Sequence, residues 1–325
     1  MTKRRIGSLS LDLDNLWTYM RIHGDSGWEQ FPSYLDTVVP RFLEFFEERG
    51  LTSTVFVVGK DATIASNHEA LRSIVAEGHE IGNHSFMHEP WLHRYTHEAV
   101  ASEIARAHTA IRDVTGQSPI GFRGPGFSVT ASVLESLIDT GYTYDTSTLP
   151  TFIGPLARRY YFRGTNLDEQ QQREREALFG SFSDGRLANK PYRWSLRNGD
   201  IVELPVTTFP MVKVPFHFSY LLYLSSMSER ASMAYFAAGL KACKALGVGP
   251  SLLLHPLDFL GGADAPELEF FPGMADTAAT KVRRLGRLVD RLLDEFDIGT
   301  TARFAATIGK GDAKLRELRP HISER

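Results

Sequence analysis

The stretch Ile6-Gly7-Ser8-Leu9-Ser10-Leu11-Asp12-Leu13-Asp14 alternates apolar residues with small or acidic ones at a period of two. That is the pattern of a strand buried on one face, and it puts Leu9, Leu11 and Leu13 together. Asp12 and Asp14 share the opposite face, so both carboxylates project into one space at the strand's end. Two close carboxylates repel, and both stay ionised only beside a cation or a strong donor.

Outward from this strand, helix-like and strand-like segments take turns. Residues 34–49 carry Leu35, Val38, Val39, Phe42, Leu43 and Phe46 at the spacing of one helix face, with Gly50 as a stop. Residues 54–58 form a β-branched strand ending at Gly59. The alternation predicts a helix over 69–77, a strand over 80–83 and a helix over 96–114. A strand before Arg123, a helix over 130–140 and a strand over 142–145 follow. After an irregular stretch it resumes with a strand over 201–206, helical segments over 220–246, a strand over 251–254, a helix over 278–296 and a short strand over 300–304. Such alternation indicates a parallel sheet or barrel of the α/β class. The polar residues of interest lie just after strands, the edge where parallel barrels do chemistry.

The irregular stretch, 151–200, is rich in arginine (Arg158, Arg159, Arg163, Arg173, Arg175, Arg186, Arg193, Arg197) and in aromatic residues, and reads as an insertion over the barrel mouth. The expected organisation is one domain over 1–309 followed by a charged, loosely held tail over 310–325. Across 325 residues, 42% hydrophobic and 23% charged composition is that of a globular protein. A net charge of −3 gives no basic footprint for nucleic acid. The one cysteine, Cys243, excludes an intrachain disulfide and suits a reducing compartment. Asp12 and Asp14 interrupt any apolar signal core after the basic N-terminus, and no apolar run approaches ~18 residues. The location expected from this is the cytoplasm, with no transmembrane segment.

His84-Ser85-Phe86-Met87-His88 follows the 80–83 strand, and histidines four apart lie on one helical face and can chelate an ion. Asp14, His84 and His88 together offer three N/O ligands and leave positions open, as a catalytic zinc site requires. His93 and His97 repeat the spacing in an exposed-looking run and read as solvated. Arg123, in Gly121-Phe122-Arg123-Gly124-Pro125-Gly126-Phe127, can hold a carboxylate ionised, while the glycines let backbone N–H groups approach an oxyanion. His255 ends the apolar run Leu252-Leu253-Leu254 and suits a general acid, with Asp145 or Asp258 to orient it.

In this order the elements resemble the five motifs of the polysaccharide-deacetylase domain (NodB homology, carbohydrate esterase family 4), spread over residues 9–258. Asp12-Leu13-Asp14 stands for the paired aspartates, His84 to His88 for His-Ser/Thr-x-x-His, Arg123 to Gly126 for Arg-x-Pro-x, Tyr144 to Ser147 for the fourth motif and Leu254-His255-Pro256 for the last. The resemblance implies an irregular (β/α) barrel in which Asp14, His84 and His88 bind one divalent ion, zinc in most members. It implies Asp12 as general base, Arg123 as its partner, His255 as general acid and Asp145 as tuner of His255. The substrate it implies is an amino-sugar glycan or glycoconjugate, and the Gly126 or Phe127 N–H would hold the oxyanion.

The sequence departs from the family in two places. Leu13 separates aspartates that are usually adjacent, a spacing similar to branches acting on peptidoglycan, lipid-linked formamido sugars, and cyclic imides or ureides. Pro150 stands where a tryptophan is usual, so Leu254 or Trp17 is expected to supply the platform for the acyl methyl. The alternatives are a deformylase or cyclic-imide hydrolase and a catalytically silent carbohydrate-binding relative; the intact Asp12, Asp14, His84, His88 and His255 argue against silence. An anionic, lipid- or nucleotide-linked amino sugar is a further expectation, drawn from the arginines of 151–200 and the apolar run from Val214 to Leu224.

Overall fold

A computed structural model describes residues 4–152, 187–309 and 315–320. The opening strand, β1 (Ile6–Leu13), sits inside the sheet, flanked by β2 (Thr54–Val57) and β8 (Ser251–Leu254). Beyond β2 come β3 (Glu80–Asn83), β4 (Gly121–Phe122), β5 (Tyr144–Asp145), β7 (Gly199–Glu203), β6 (Tyr192–Leu196) and β10 (Glu317–Leu318), while β9 (Asp297–Gly299) pairs with β1. Every pairing is parallel except the β6–β7 hairpin. The class is α/β, as expected, with an irregular barrel-like sheet and helices outside it.

Leu9, Leu11 and Leu13 are buried and pack outward with the apolar face of α2 (Leu35–Glu47), while Ser8, Ser10 and Asp12 turn the other way. The helix on the far side of β3, α5 (His97–Thr115), starts where the Thr96 side chain accepts from the Ala99 N–H. It stops at Gly116, whose left-handed φ of 73° lets its N–H reach the Arg112 carbonyl. Inside the sheet Phe56, Tyr144, Val202, Leu204 and Phe304 form a separate cluster. A Cβ on Gly121 would lie 1.9 Å from Tyr144 Cζ, so the absent side chain there is room for that ring.

The strand ladder does not run full circle. Residues 204–207, just past β7, meet the edge strand β8, where the Thr207 N–H donates to the Ser251 carbonyl (2.8 Å) and the Thr207 hydroxyl accepts from the Ser251 N–H (2.8 Å).

Three expectations are corrected. Residues 300–304 are not a strand: β9 ends at Gly299, and a helix, Thr301–Gly309, begins at once. Its first N–H groups donate to Thr54 Oγ1 (2.7 Å) and Glu80 Oε2 (3.0 Å), tertiary caps that no local pattern shows. The stretch 151–200 is not an insertion throughout, because residues 192–203 form the hairpin that extends the main sheet; residues 153–186, with Arg158, Arg159, Arg163, Arg173, Arg175 and Arg186, lie outside the described residues. Within the tail, Glu317 and Leu318 pair with Arg193 and Trp194 rather than hanging loosely. No helix among the described residues is long and apolar enough to cross a membrane.

Candidate active site

The polar residues singled out in the sequence gather at the carboxyl ends of the parallel strands. Asp14 follows β1, His84 follows β3, Arg123 follows β4, Asp145 ends β5 and His255 follows β8.

Asp14 Oδ1 lies 3.2 Å from His84 Nε2 and 3.0 Å from His88 Nε2, all three groups buried. The histidines do not reach this point from a helix, as their spacing predicts. They sit on a loop in which Ser85 (φ 60°) and His88 (φ 49°) take left-handed conformations rare outside glycine. The loop is held open in that shape: Glu103 on α5 accepts from the Phe86 and Met87 N–H groups (3.0 Å each), and the Ser85 and Phe86 carbonyls accept from the N–H groups of Gly59 and Lys60.

His84 Nδ1 is 2.6 Å from the Arg123 carbonyl. A carbonyl only accepts, so Nδ1 carries a proton and Nε2, which faces Asp14, is the nitrogen that would ligate a metal. Asp14 Oδ1 is buried with no donor aligned on it. Burial works against its charge, yet the neighbouring His88 and His84 hold the Asp14 carboxyl well below the usual carboxylate range. Two imidazole nitrogens and one anionic oxygen, mutually within 4.8 Å and not otherwise satisfied, fit a divalent ion with open positions. His93 and His97 are exposed and apart from this cluster.

Arg123 is 1% exposed and points into the sheet interior, between Asp12 Oδ2 (3.3 Å), Ser10 Oγ (3.2 Å) and Thr146 Oγ1 (3.1 Å). The buried guanidinium is thus the charged partner that faces the Asp12 carboxyl group. The second Asp12 oxygen, Oδ1, is buried and accepts no hydrogen bond, leaving a lone pair for a proton.

His255 is oriented by Asp258, not by Asp145. Ser219 Oγ donates to Asp258 Oδ2 (3.1 Å) and lies 3.0 Å from His255 Nδ1, so Nδ1–H must donate to the serine. The His255 backbone N–H also donates to Asp258 Oδ2 (2.9 Å). Asp145 accepts from Ser147 instead and faces Glu203, a buried carboxyl at the end of β7. Desolvation, and then Asp145 itself, push Glu203 well above the usual range, so Glu203 holds the proton and Asp145 the charge.

Of the expected substrate contacts, Trp17 and Leu254 are core residues with no exposure, and the Trp17 indole N–H donates to Asp61 (2.9 Å). Neither can act as a platform. The Phe127 N–H is taken by the Gly124 carbonyl (2.9 Å); Gly126, with φ 60°, stands at the turn beside it. Beside Asp14 and His255 opens a cavity of about 550 Å³, lined also by Tyr19, His217, Tyr220, Leu222, Leu257 and Phe271. The sequence reading missed Glu203, Ser219, His217 and Tyr19. Ser219 and His217 lie in the run from Val214 to Leu224 that was read only for its apolar character; Glu203 sits inside an ordinary strand pattern.

An α/β sheet with a three-donor N/O cluster, an arginine-held carboxyl group and an oriented histidine at one edge offers the groups that hydrolysis of a carbon–nitrogen bond uses. Residues 24–144 match the family model described as polysaccharide deacetylase. The chain is 26% identical over 170 residues to a peptidoglycan deacetylase of Helicobacter pylori, covering 50% of this chain and 55% of that protein. It is 34% identical over 103 residues to a chitooligosaccharide deacetylase of a Bradyrhizobium species, covering 31% of this chain and 46% of that one. The matched segments thus span about half the length of these curated relatives. A crystal structure of a polysaccharide deacetylase-like protein from Mycobacterium smegmatis superposes with a TM-score of 0.65 at 19% identity, covering 98% of this chain and 94% of that one, and so shares the fold. The 24–144 segment is thus similar to the polysaccharide deacetylase domain, the NodB-homology group of carbohydrate esterase family 4 that the five motifs resemble.

Proposed function

We propose that the protein is a metal-dependent amide hydrolase that removes an acyl group from the nitrogen of an amino sugar. One observation carries the reading: Asp14, His84 and His88 converge within 4.8 Å while Asp12, gripped by Arg123, keeps an unengaged oxygen and His255 is oriented beside the same cavity. That relatives of similar sequence bear the names peptidoglycan and chitooligosaccharide deacetylase supports the substrate class.

Asp14, His84 and His88 would hold the divalent ion, zinc by the chemistry of two imidazoles and a carboxylate. When bound, it supplies Lewis acidity, acidifying water and polarising the acyl carbonyl. Asp12 takes the proton from the attacking water through Oδ1, while Arg123 fixes its other oxygen. His255 passes a proton to the departing nitrogen, and the Ser219–Asp258 relay steadies the charged ring. The amine and the carboxylic acid leave as separate products.

Acetate release from N-acetylglucosamine oligomers tests this, with protein stripped of metal and then reloaded with zinc. Activity that vanishes on stripping and returns on reloading supports the reading. Binding of the oligomers without hydrolysis under any loading would favour the silent carbohydrate-binding alternative.

A further inference from the structure

The cavity beside His255 is larger and more apolar than the removal of an acetyl group demands. Its volume is about 550 Å³. An acetyl methyl fills only roughly the ~30 Å³ share of a water molecule. Its apolar wall includes Tyr19, Tyr220, Leu222, Tyr223, Leu257 and Phe271, and the polar His217, Ser219, His255, Asp258 and Asp276 also reach the lining. Its two cations are already matched. Lys281 donates to the Leu257 carbonyl (2.9 Å) and faces Asp258 and Asp276, and Arg284 pairs with Asp276 (2.6 Å) and Glu229 (3.0 Å). No unmatched charge calls for an anionic ligand there. Apolar surface continues outside, where Tyr223 is 36% exposed and Phe270, next to Phe271, is 44% exposed.

We propose that the acyl group taken by this cavity is longer than acetyl, an alkyl or aryl acyl chain. The proposal rests on the amide-hydrolase reading above. In that reading the nitrogen side of the amide carries a sugar, whose hydroxyl groups need polar partners, so the apolar cavity suits the acyl side. In the reaction the oxygen of water joins the acyl carbon, the C–N bond breaks and the nitrogen takes a proton, giving a free carboxylic acid and the amino sugar.

The test compares N-acetyl-, N-butyryl-, N-hexanoyl- and N-benzoylglucosamine on the zinc-loaded protein, reading the freed amine. Burial of each added methylene raises kcat/KM about fourfold, so about tenfold or more from acetyl to butyryl is expected. Tyr223→Asp, on the outer side of a helix, should lower the hexanoyl-to-acetyl ratio by about tenfold. A flat or falling series, an unchanged ratio in that variant, or faster cleavage of acetanilide than of the acyl sugars would each overturn the proposal. If nothing is hydrolysed, calorimetry on the same sugars still decides. Affinity that tightens with chain length upholds the cavity and overturns the hydrolase reading; affinity independent of chain length overturns the cavity.

Discussion

Arg123 serves two groups with two parts of itself: its carbonyl oxygen accepts from His84 Nδ1 at 2.6 Å, and its guanidinium reaches Asp12 Oδ2 at 3.3 Å. A single residue thus fixes which nitrogen of one metal-ligand candidate carries a proton and where the carboxyl group of the candidate base is held. Lysine at this position would keep the backbone contact but not the fork. Arg123→Lys should retain most metal affinity and lose turnover, read by elemental analysis alongside acetate release. Parallel loss of metal would place the effect in the backbone.

His84→Ala should purify without stoichiometric zinc, whereas His93→Ala should keep it, since only the former ring belongs to the buried cluster. Elemental analysis of both proteins checks this. Metal retained in the first or lost in the second contradicts the ligand assignment.

Asp12→Asn is expected to bind metal normally and to lose roughly 10²–10⁴-fold in kcat, the usual cost of a missing general base. A rate near wild type would mean that another group accepts the proton.

Ser219→Ala interrupts the relay between His255 and Asp258 without touching either ring or carboxylate. Its kcat should fall by about tenfold, less than for His255→Ala, and the loss should grow with the basicity of the leaving amine. Equal losses for good and poor leaving groups would remove His255 from the acid role.

Glu203 gives a stability prediction with a definite sign. Its folded-state pKa is raised above the unfolded value, chiefly by desolvation and then by Asp145. The folded state therefore keeps a proton that the unfolded chain releases above about pH 4.3. Stability from this group is full below that pH and declines as pH rises. Glu203→Gln, which stays neutral, should flatten the fall of Tm between pH 6 and 9. A steeper fall in the variant would show that the charge resides elsewhere.

Much of this site was readable because strand periodicity is local. The two-residue repeat of Leu9, Leu11 and Leu13 placed Asp12 on the inner face, and helix spacing in residues 34–49 located α2. What required the fold was any arrangement made by distant residues. Four-residue histidine spacing suggested a helix, but Glu103, fifteen residues beyond His88, imposes a left-handed loop. Asp258 displaced Asp145 as partner of His255 because Ser219 arrives from another segment. Glu203 went unnoticed since an acid in an alternating strand looks solvent-facing, and only pairing with β5 buries it. Trp17 looked available because its indole partner, Asp61, lies forty-four positions away.

The meeting of Thr207 with Ser251 divides the molecule's working parts unequally. Asp12 and His255 grow from β1 and β8, neighbours in direct register, with Leu11 opposite Leu254. Asp145 and Glu203 stand across the join, on strands tied to β8 through residues 204–207 rather than by a ladder. Proton donor and acceptor therefore share one hydrogen-bonded ladder, so substitutions near 204–207 should disturb the Asp145–Glu203 pair before they disturb the spacing of Asp12 and His255.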